Sequence, residues 1–353
     1  MVATNELVPA SGSVRISLIS PTLDRRRFLC AAGGALAAVV TAGRAGAATP
    51  AAPAAAAGTL RLQPGDILGQ QAHGVGVQRA ACRKPQRLGF GAMRLTGEGI
   101  WGEPRDPVEC RAVLRRALEL GVGFIDTADA YGPHVSERLI AEALHPYADG
   151  LVIATKGGLV RRAPGDWTAN GRPEYLRAAC EGSLRRLRVE RIDLYQLHSV
   201  DRTLPYEESI GELARLQREG KIRHIGVSNV DPVLLAKARG EATIVSVQNR
   251  YNAADRSSEA VLATCERDGI AFLPWAPLGT SAPPVGEPHP SQAVLAQVAK
   301  ERGLTMPAAA LAWLLTRSPA ILPIPGTSRL QHLEENVRAA RLRLTAAEMG
   351  RIG

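Results

Sequence analysis

Short apolar runs alternate with amphipathic stretches along most of the 353-residue chain. The runs fall at residues 88–91, 123–127, 151–156, 192–198, 222–228, 244–248, 270–275 and 321–325. Each is short, rich in Ile, Val, Leu or Phe, and bounded by turn residues, as buried strands are. Between them lie stretches of helical period such as 108–120 and 173–187. In the second, Leu176, Ala179, Cys180, Ser183, Leu184 and Leu187 return to one helical face. Pro173, Pro232 and Pro307 stand where a first helical turn tolerates proline, because the N–H it lacks would be unbonded there.

Eight such strand–helix units in roughly 265 residues have the length and rhythm of an α/β (β/α)₈ TIM barrel, predicted here for residues 88–353. An open doubly wound sheet is the rival. It would carry G-x-G-x-x-G after its first strand and open a helix at once. Leu88-Gly89-Phe90-Gly91-Ala92-Met93 lacks that spacing, and the next helical pattern begins only near Pro107. The barrel is therefore the expected fold. Residues 59–87 show no clear period; Thr59 to Leu62 would begin at most a hairpin under the barrel floor.

An apolar content of 45% with 22% charged residues supplies ample core and argues against disorder. The net charge of +9 is inflated by Arg15, Arg25, Arg26, Arg27 and Arg44 in the first 47 residues. The rest is moderately basic, compatible with an anionic cofactor. No basic run is interleaved with aromatics, so a nucleic-acid partner is not expected. Cys30, Cys82, Cys110, Cys180 and Cys265 show no C-x-x-C spacing, and no metal site is expected. Cys110, Cys180 and Cys265 fall inside helical patterns, where a thiol acts as a small buried hydrophobe.

Barrel enzymes place reacting groups where strands end and loops begin. The second run ends in Asp126-Thr127-Ala128-Asp129-Ala130-Tyr131-Gly132, the third in Thr155-Lys156 and the fourth in Gln196-Leu197-His198. A carboxylate, a phenol, an ammonium and an imidazole thus converge on one rim. A tyrosine ionises near pH 10 and needs a neighbour that stabilises its phenolate before it donates a proton readily. Lys156 held by Asp126 suits that task, with His198 orienting a substrate oxygen. Singly, an exposed tyrosine or an Asp–Lys surface pair is ordinary. Their placement on successive strand ends is what points to chemistry.

The segments 124–132, 154–156, 194–198, 226–229 and 324–336 resemble the motifs of the aldo-keto reductases, in register across 88–337. The resemblance implies Asp126, Tyr131, Lys156 and His198 as a catalytic tetrad, and NADPH as cofactor. Ser228 and Asn229 after the fifth run and Gln248 after the sixth are hydroxyl and amide groups suited to a nicotinamide carboxamide; a plain helix cap before Pro232 is the bland alternative for the first two. Trp275 stands where the family usually has a tyrosine against the nicotinamide ring, and keeps the flat face. Gly326, Thr327 and Ser328 offer backbone N–H groups to a phosphate at a helix start, and Arg329 offers a planar fork to the 2′-phosphate that distinguishes NADPH from NADH. By resemblance, Glu335 and Asn336 hold the adenine.

Within the family, 91–102 and 131–135 resemble the bacterial branch that includes pyridoxal reductases, with Met93 and Trp101 as candidate substrate-pocket residues, although core packing serves equally well for Met93. The expected reaction is reduction of a small carbonyl compound. Two other readings are a non-enzymatic nicotinamide-nucleotide-binding partner protein and a broad-specificity aldehyde-detoxifying reductase. The sequence sets no oligomeric state.

The N-terminus adds an address. Arg25-Arg26-Arg27 precedes a mildly apolar stretch from Cys30 to Ala42 and then Ala45-Gly46-Ala47, an A-x-A cleavage pattern. Residues 1–47 resemble a twin-arginine export signal, and 48–58 read as an Ala/Pro linker. This implies the twin-arginine machinery as a partner and a location outside the cytoplasm.

Overall fold

A computed structural model describes residues 87–279 and 289–353. The expected signal and linker, and the 59–87 segment apart from Arg87, lie outside the described residues. Arg87 donates to the carbonyls of Leu315 and Ser318 at the end of a late helix, a common use of an arginine at carbonyls that lack a helical partner.

The first strands and helices in chain order are β1 (Phe90–Gly91), α1 (Pro107–Glu119), β2 (Phe124–Asp126), α2 (Val135–Leu144) and β3 (Val152–Gly157). A small hairpin follows, β4 (Leu159–Val160) with β5 (Thr168–Ala169), then α3 (Pro173–Leu187), β6 (Ile192–Leu197), α4 (Tyr206–Arg218) and β7 (Ile222–Ser228). The chain continues through α5 (Pro232–Glu241), β8 (Ile244–Gln248), α6 (Glu259–Asp268) and β9 (Ala271–Phe272). It ends with α7 (Ser291–Glu301), α8 (Met306–Arg317), α9 (Leu330–Ala339) and α10 (Ala346–Ile352). The main sheet is parallel throughout, in the order β1-β2-β3-β6-β7-β8-β9.

The run at 321–325 closes the ring without forming a regular strand. Leu322 N donates to Phe272 O at 2.9 Å on one side, while Pro323 O and Pro325 O accept from Gly89 N at 2.9 Å and Gly91 N at 3.2 Å on the other. Proline has no N–H to return, so the ladder toward β1 runs one way only. The approach is close: a Cβ on Gly91 would lie 2.5 Å from Ile324 O, and one on Gly326 would lie 2.4 Å from Gly91 O. Those two glycines are what this seam tolerates.

Alternation along each strand builds two layers of core. Phe124, Ala154, Leu194, Val245, Leu273, Leu322 and Ile324 pack together inside the ring. Ile125, Ile153, Tyr195, Leu197 and Val227 face the helices, which bury their apolar stripes against them. Helix starts follow their sequence signals. Asp106, Asp231 and Thr305 each accept a backbone N–H in the first turn, with proline at the first or second helical position. Among the described residues, ten helices accompany the eight strand positions of the ring, β4 and β5 standing apart: α7 packs on α8, and α10 packs on both. Cys110, Cys180 and Cys265 are buried, and burial pushes the thiols of Cys180 and Cys265 up to about 12.

Candidate active site

The same alternation that fills the ring also builds its chemistry. On β2 the inward series is Phe124 then Asp126, on β3 it is Val152, Ala154 then Lys156, and on β6 it is Leu194 then Gln196. In each strand the last inward position is polar, and Lys156 lies in register with Gln196. Period two therefore delivers three polar side chains to one corner at the C-terminal ends of adjacent strands.

Lys156 is fully buried, and its three N–H groups are all accounted for. Nζ donates to Asp126 Oδ2 at 2.7 Å, to Thr127 O at 2.8 Å and to Tyr131 Oη at 3.4 Å. The other Asp126 oxygen accepts from Gln248 Nε2 at 2.8 Å and from Gln196 Nε2 at 3.2 Å. Burial works against the Lys156 charge, but the Asp126 carboxylate overcomes it and holds the ammonium above the ordinary lysine range. For Tyr131 burial is also the largest influence and pushes the phenol up, opposed chiefly by the Lys156 charge. The phenol is thus protonated at neutral pH, and since its oxygen already accepts from Lys156, its own O–H is available to another acceptor.

His198 lies at the end of β6, its ring 5.7 Å from that of Tyr131 and nearly perpendicular at 83°. Burial, and then the charges of Lys156 and Arg161, hold the imidazole well below its usual pKa, so it is neutral. Its Nδ1 is buried without a partner. A buried orphan acceptor is cheaper than a buried orphan N–H, which favours the tautomer carrying its proton on Nε2. Asp129, two residues before Tyr131, is buried as well. Burial, reinforced by Glu137, raises its carboxyl well above the usual range and favours the uncharged form.

The residues expected along the groove lie where the strand ends put them. Ser228 Oγ donates to Gln248 O at 2.6 Å, and Asn229 Nδ2 donates to His198 O at 3.0 Å and to Ser228 Oγ at 3.1 Å. Asn229 has φ +59°, a left-handed conformation that asparagine tolerates better than most residues. Trp275 Nε1 donates to Asn229 Oδ1 at 2.9 Å. Beyond the seam, Thr327 Oγ1 accepts from Arg329 N at 3.0 Å, and Arg329 precedes α9 without capping it by a side-chain hydrogen bond. Gly326 and Ser328 are partly exposed and Arg329 is exposed. On α9 Asn336 is buried, while Glu335 accepts from Thr305 at 2.5 Å.

Trp101 and the half-buried Met93 belong to the loop after β1. Trp101 pairs with Gly132, next to Tyr131. Sequence reasoning missed three groups here. Gln196 is one, although a polar residue at the last inward position of an apolar strand is a legible signal. Trp167 and Arg161, on and beside the β4–β5 hairpin, are the others. Trp167 is edge-on to Tyr131 at 6.5 Å and to His198 at 6.4 Å, and Arg161 lies 3.6 Å from the centre of the Trp167 ring.

A parallel ring with this rim defines a class. Residues 87–353 match the model of the aldo/keto reductase family, and the chain belongs to that family. It is an NAD(P)H-dependent oxidoreductase. It is 45% identical over 265 residues to pyridoxine 4-dehydrogenase of Escherichia coli, covering 73% of this chain and 91% of that one. An uncharacterized oxidoreductase of Schizosaccharomyces pombe is 49% identical over 260 residues, covering 74% and 83%. Among solved structures, an aldo-keto reductase of Bacillus halodurans in its holo form superimposes with TM-score 0.65 at 26% identity, covering 75% and 90%. An aldo-keto reductase of Klebsiella pneumoniae in complex with NADPH gives 0.60 at 26%, covering 75% and 89%.

Proposed function

We propose that this protein reduces a small aldehyde or ketone to the alcohol with NADPH, with pyridoxal as the first substrate to try, and that Tyr131 gives the proton. The observation that carries the reading is the bond from Lys156 Nζ into Tyr131 Oη, backed by Asp126. An ammonium already aimed at the phenol oxygen stabilises the phenolate that appears as the proton leaves, which is where a general acid gains rate. Tyr131 places its O–H on the carbonyl oxygen, and neutral His198 donates a second hydrogen bond to that oxygen from Nε2. The cofactor, when bound, supplies the hydride to the carbonyl carbon.

The chain's own residues fit that cofactor. Ser228, Asn229 and Gln248 offer hydroxyl and amide groups beside the proton corner, and Trp275 offers a flat face. The first turn of α9 has backbone N–H groups without a side-chain cap. Arg329 beside that turn supports NADPH over NADH, and Asn336 with Glu335 would meet the adenine.

The test is NADPH oxidation with pyridoxal, an aromatic aldehyde, methylglyoxal and a keto-steroid. Tyr131→Phe is expected to lower kcat by roughly 10²–10⁴-fold with NADPH affinity and fold retained. Near-normal turnover by that variant would remove Tyr131 as the donor. NADPH binding with no turnover of any carbonyl would favour the nucleotide-binding partner protein, and equal efficiency on every aldehyde the detoxifying reductase.

We also propose export through the twin-arginine route, supported by the order of Arg25-Arg26-Arg27, apolar stretch and Ala45-Gly46-Ala47. Arg25→Lys combined with Arg26→Lys is expected to leave the protein in the cytoplasm. Undiminished yield outside it would reject the address.

A further inference from the structure

Three separate segments meet on Arg161, the residue after β4. The residue is only 8% exposed, and its guanidinium centre lies 3.6 Å from the centre of the Trp167 ring and 5.5 Å from that of Trp101. Nη1 donates to Ile100 O at 3.2 Å and Ala130 O at 3.4 Å, and Nη2 donates to Gly99 O at 3.2 Å. One planar cation therefore ties the loop after β1, the residue before Tyr131, and the hairpin that carries Trp167.

The conformation at those carbonyls is one that such a tie stabilises. Gly99 has φ +65° and Ile100 φ +58°. A β-branched residue in the left-handed region is strained and persists only where its surroundings hold it. The hairpin is equally dependent, since its strands are two residues each and short isolated hairpins are marginal. Each segment also carries bonds of its own, Ile100 N to Gly97 O at 3.1 Å in the loop and Asp166 N to Ala163 O at 3.1 Å in the hairpin, and Arg161 joins the two across the gap between Trp101 and Trp167.

We propose that Arg161 is a positioning residue that sets the substrate class of this site to planar aromatic aldehydes, by holding Trp167 and Trp101 as a fixed wall beside Tyr131 and His198. The inference rests on the reductase reading above. A carbonyl oxygen held between Tyr131 Oη and His198 directs its substituent toward what borders both rings, and Trp167 borders both, edge-on at 76° and 69°. Trp167 is 38% exposed, so indole surface remains for a substrate. With the guanidinium over one face, the other face and the edges are what a ligand meets. A flat conjugated ring gains aromatic contact there, whereas a short alkyl chain does not. Lysine cannot substitute, because the site uses a planar fork with several donors.

The experiment measures kcat and KM with NADPH for an aromatic aldehyde (pyridoxal) and a short aliphatic one (propanal). It uses the full chain, Arg161→Lys, Arg161→Met, Trp167→Ala, Trp167→Phe and the Arg161→Met/Trp167→Ala double variant. The parent protein is expected to prefer the aromatic substrate. The aromatic-to-aliphatic ratio of kcat/KM is expected to fall about tenfold in both Arg161 variants and in Trp167→Ala, mainly through KM, the scale of one aromatic contact. Trp167→Phe is expected to recover most of the preference, and the double variant to fall no further than Trp167→Ala. A change of the ratio below about threefold in Arg161→Met overturns the proposal, or in Trp167→Ala should the first variant fail to fold. Turnover of both substrates without preference in the parent protein overturns it too, leaving the reductase reading intact, whereas turnover of no carbonyl overturns both.

Discussion

The two ends of the groove are built on opposite plans. At the proton corner Asp126 is 3% exposed and Lys156 fully buried, both on strands, and every N–H of the ammonium is used inside the protein. At the end proposed for the cofactor phosphates the groups are backbone N–H at the start of α9, a turn fixed by Thr327 Oγ1, and an exposed Arg329. The difference teaches what each task demands. Moving a proton in step with bond making needs fixed groups in a low dielectric, whereas holding a polyanion needs only N–H dipoles and a reachable charge.

Breaking the first plan should have the larger effect. Lys156→Met removes the ammonium under Tyr131 and the partner of a buried carboxylate. It is expected to lower kcat by roughly 10²–10⁴-fold and to destabilise the fold by about 3–5 kcal/mol, the second effect softened because Gln196 and Gln248 still donate to Asp126. Adding Tyr131→Phe should cost little more, since groups acting as one unit are not additive. Stopped assays below each variant's melting temperature check both points, and multiplicative losses would show that Lys156 and Tyr131 act separately.

The phosphate end should give a smaller, selective response. Arg329→Ala is expected to weaken NADPH by about 1.5 kcal/mol, the low end for a charged hydrogen bond because the side chain is exposed, and to leave NADH nearly unchanged. Titration of cofactor fluorescence decides it. Equal losses for both cofactors would assign Arg329 to shaping the loop.

Much of this was legible in the chain. The helix expected at 173–187 is α3, residue for residue, and the runs at 222–228 and 244–248 are β7 and β8. These segments follow one strong period, so local pattern and tertiary burial agree. Asp126, Tyr131, Lys156 and His198 were found by reading strand ends, and the structure brings all four together. The run at 270–275 shortens to Ala271–Phe272, and 321–325 keeps its place in the ring with only isolated strand bonding, because prolines alternate there. Arg161 and Trp167 gave no warning: two-residue strands have no measurable period, and a guanidinium that gathers three loops is visible only after folding. Glu335 also accepts from Thr305, the residue that caps α8, a contact that sequence spacing does not encode.

The prolines of the closing segment give the barrel a mechanical grain. Between β6 and β7 hydrogen bonds run both ways across a long register, whereas β1 meets Pro323 and Pro325 through acceptors alone. Local opening follows such bonding, so amide exchange at Gly89 and Gly91 is expected to be faster than along β6 and β7. The seam leads directly to Gly326 and the start of α9.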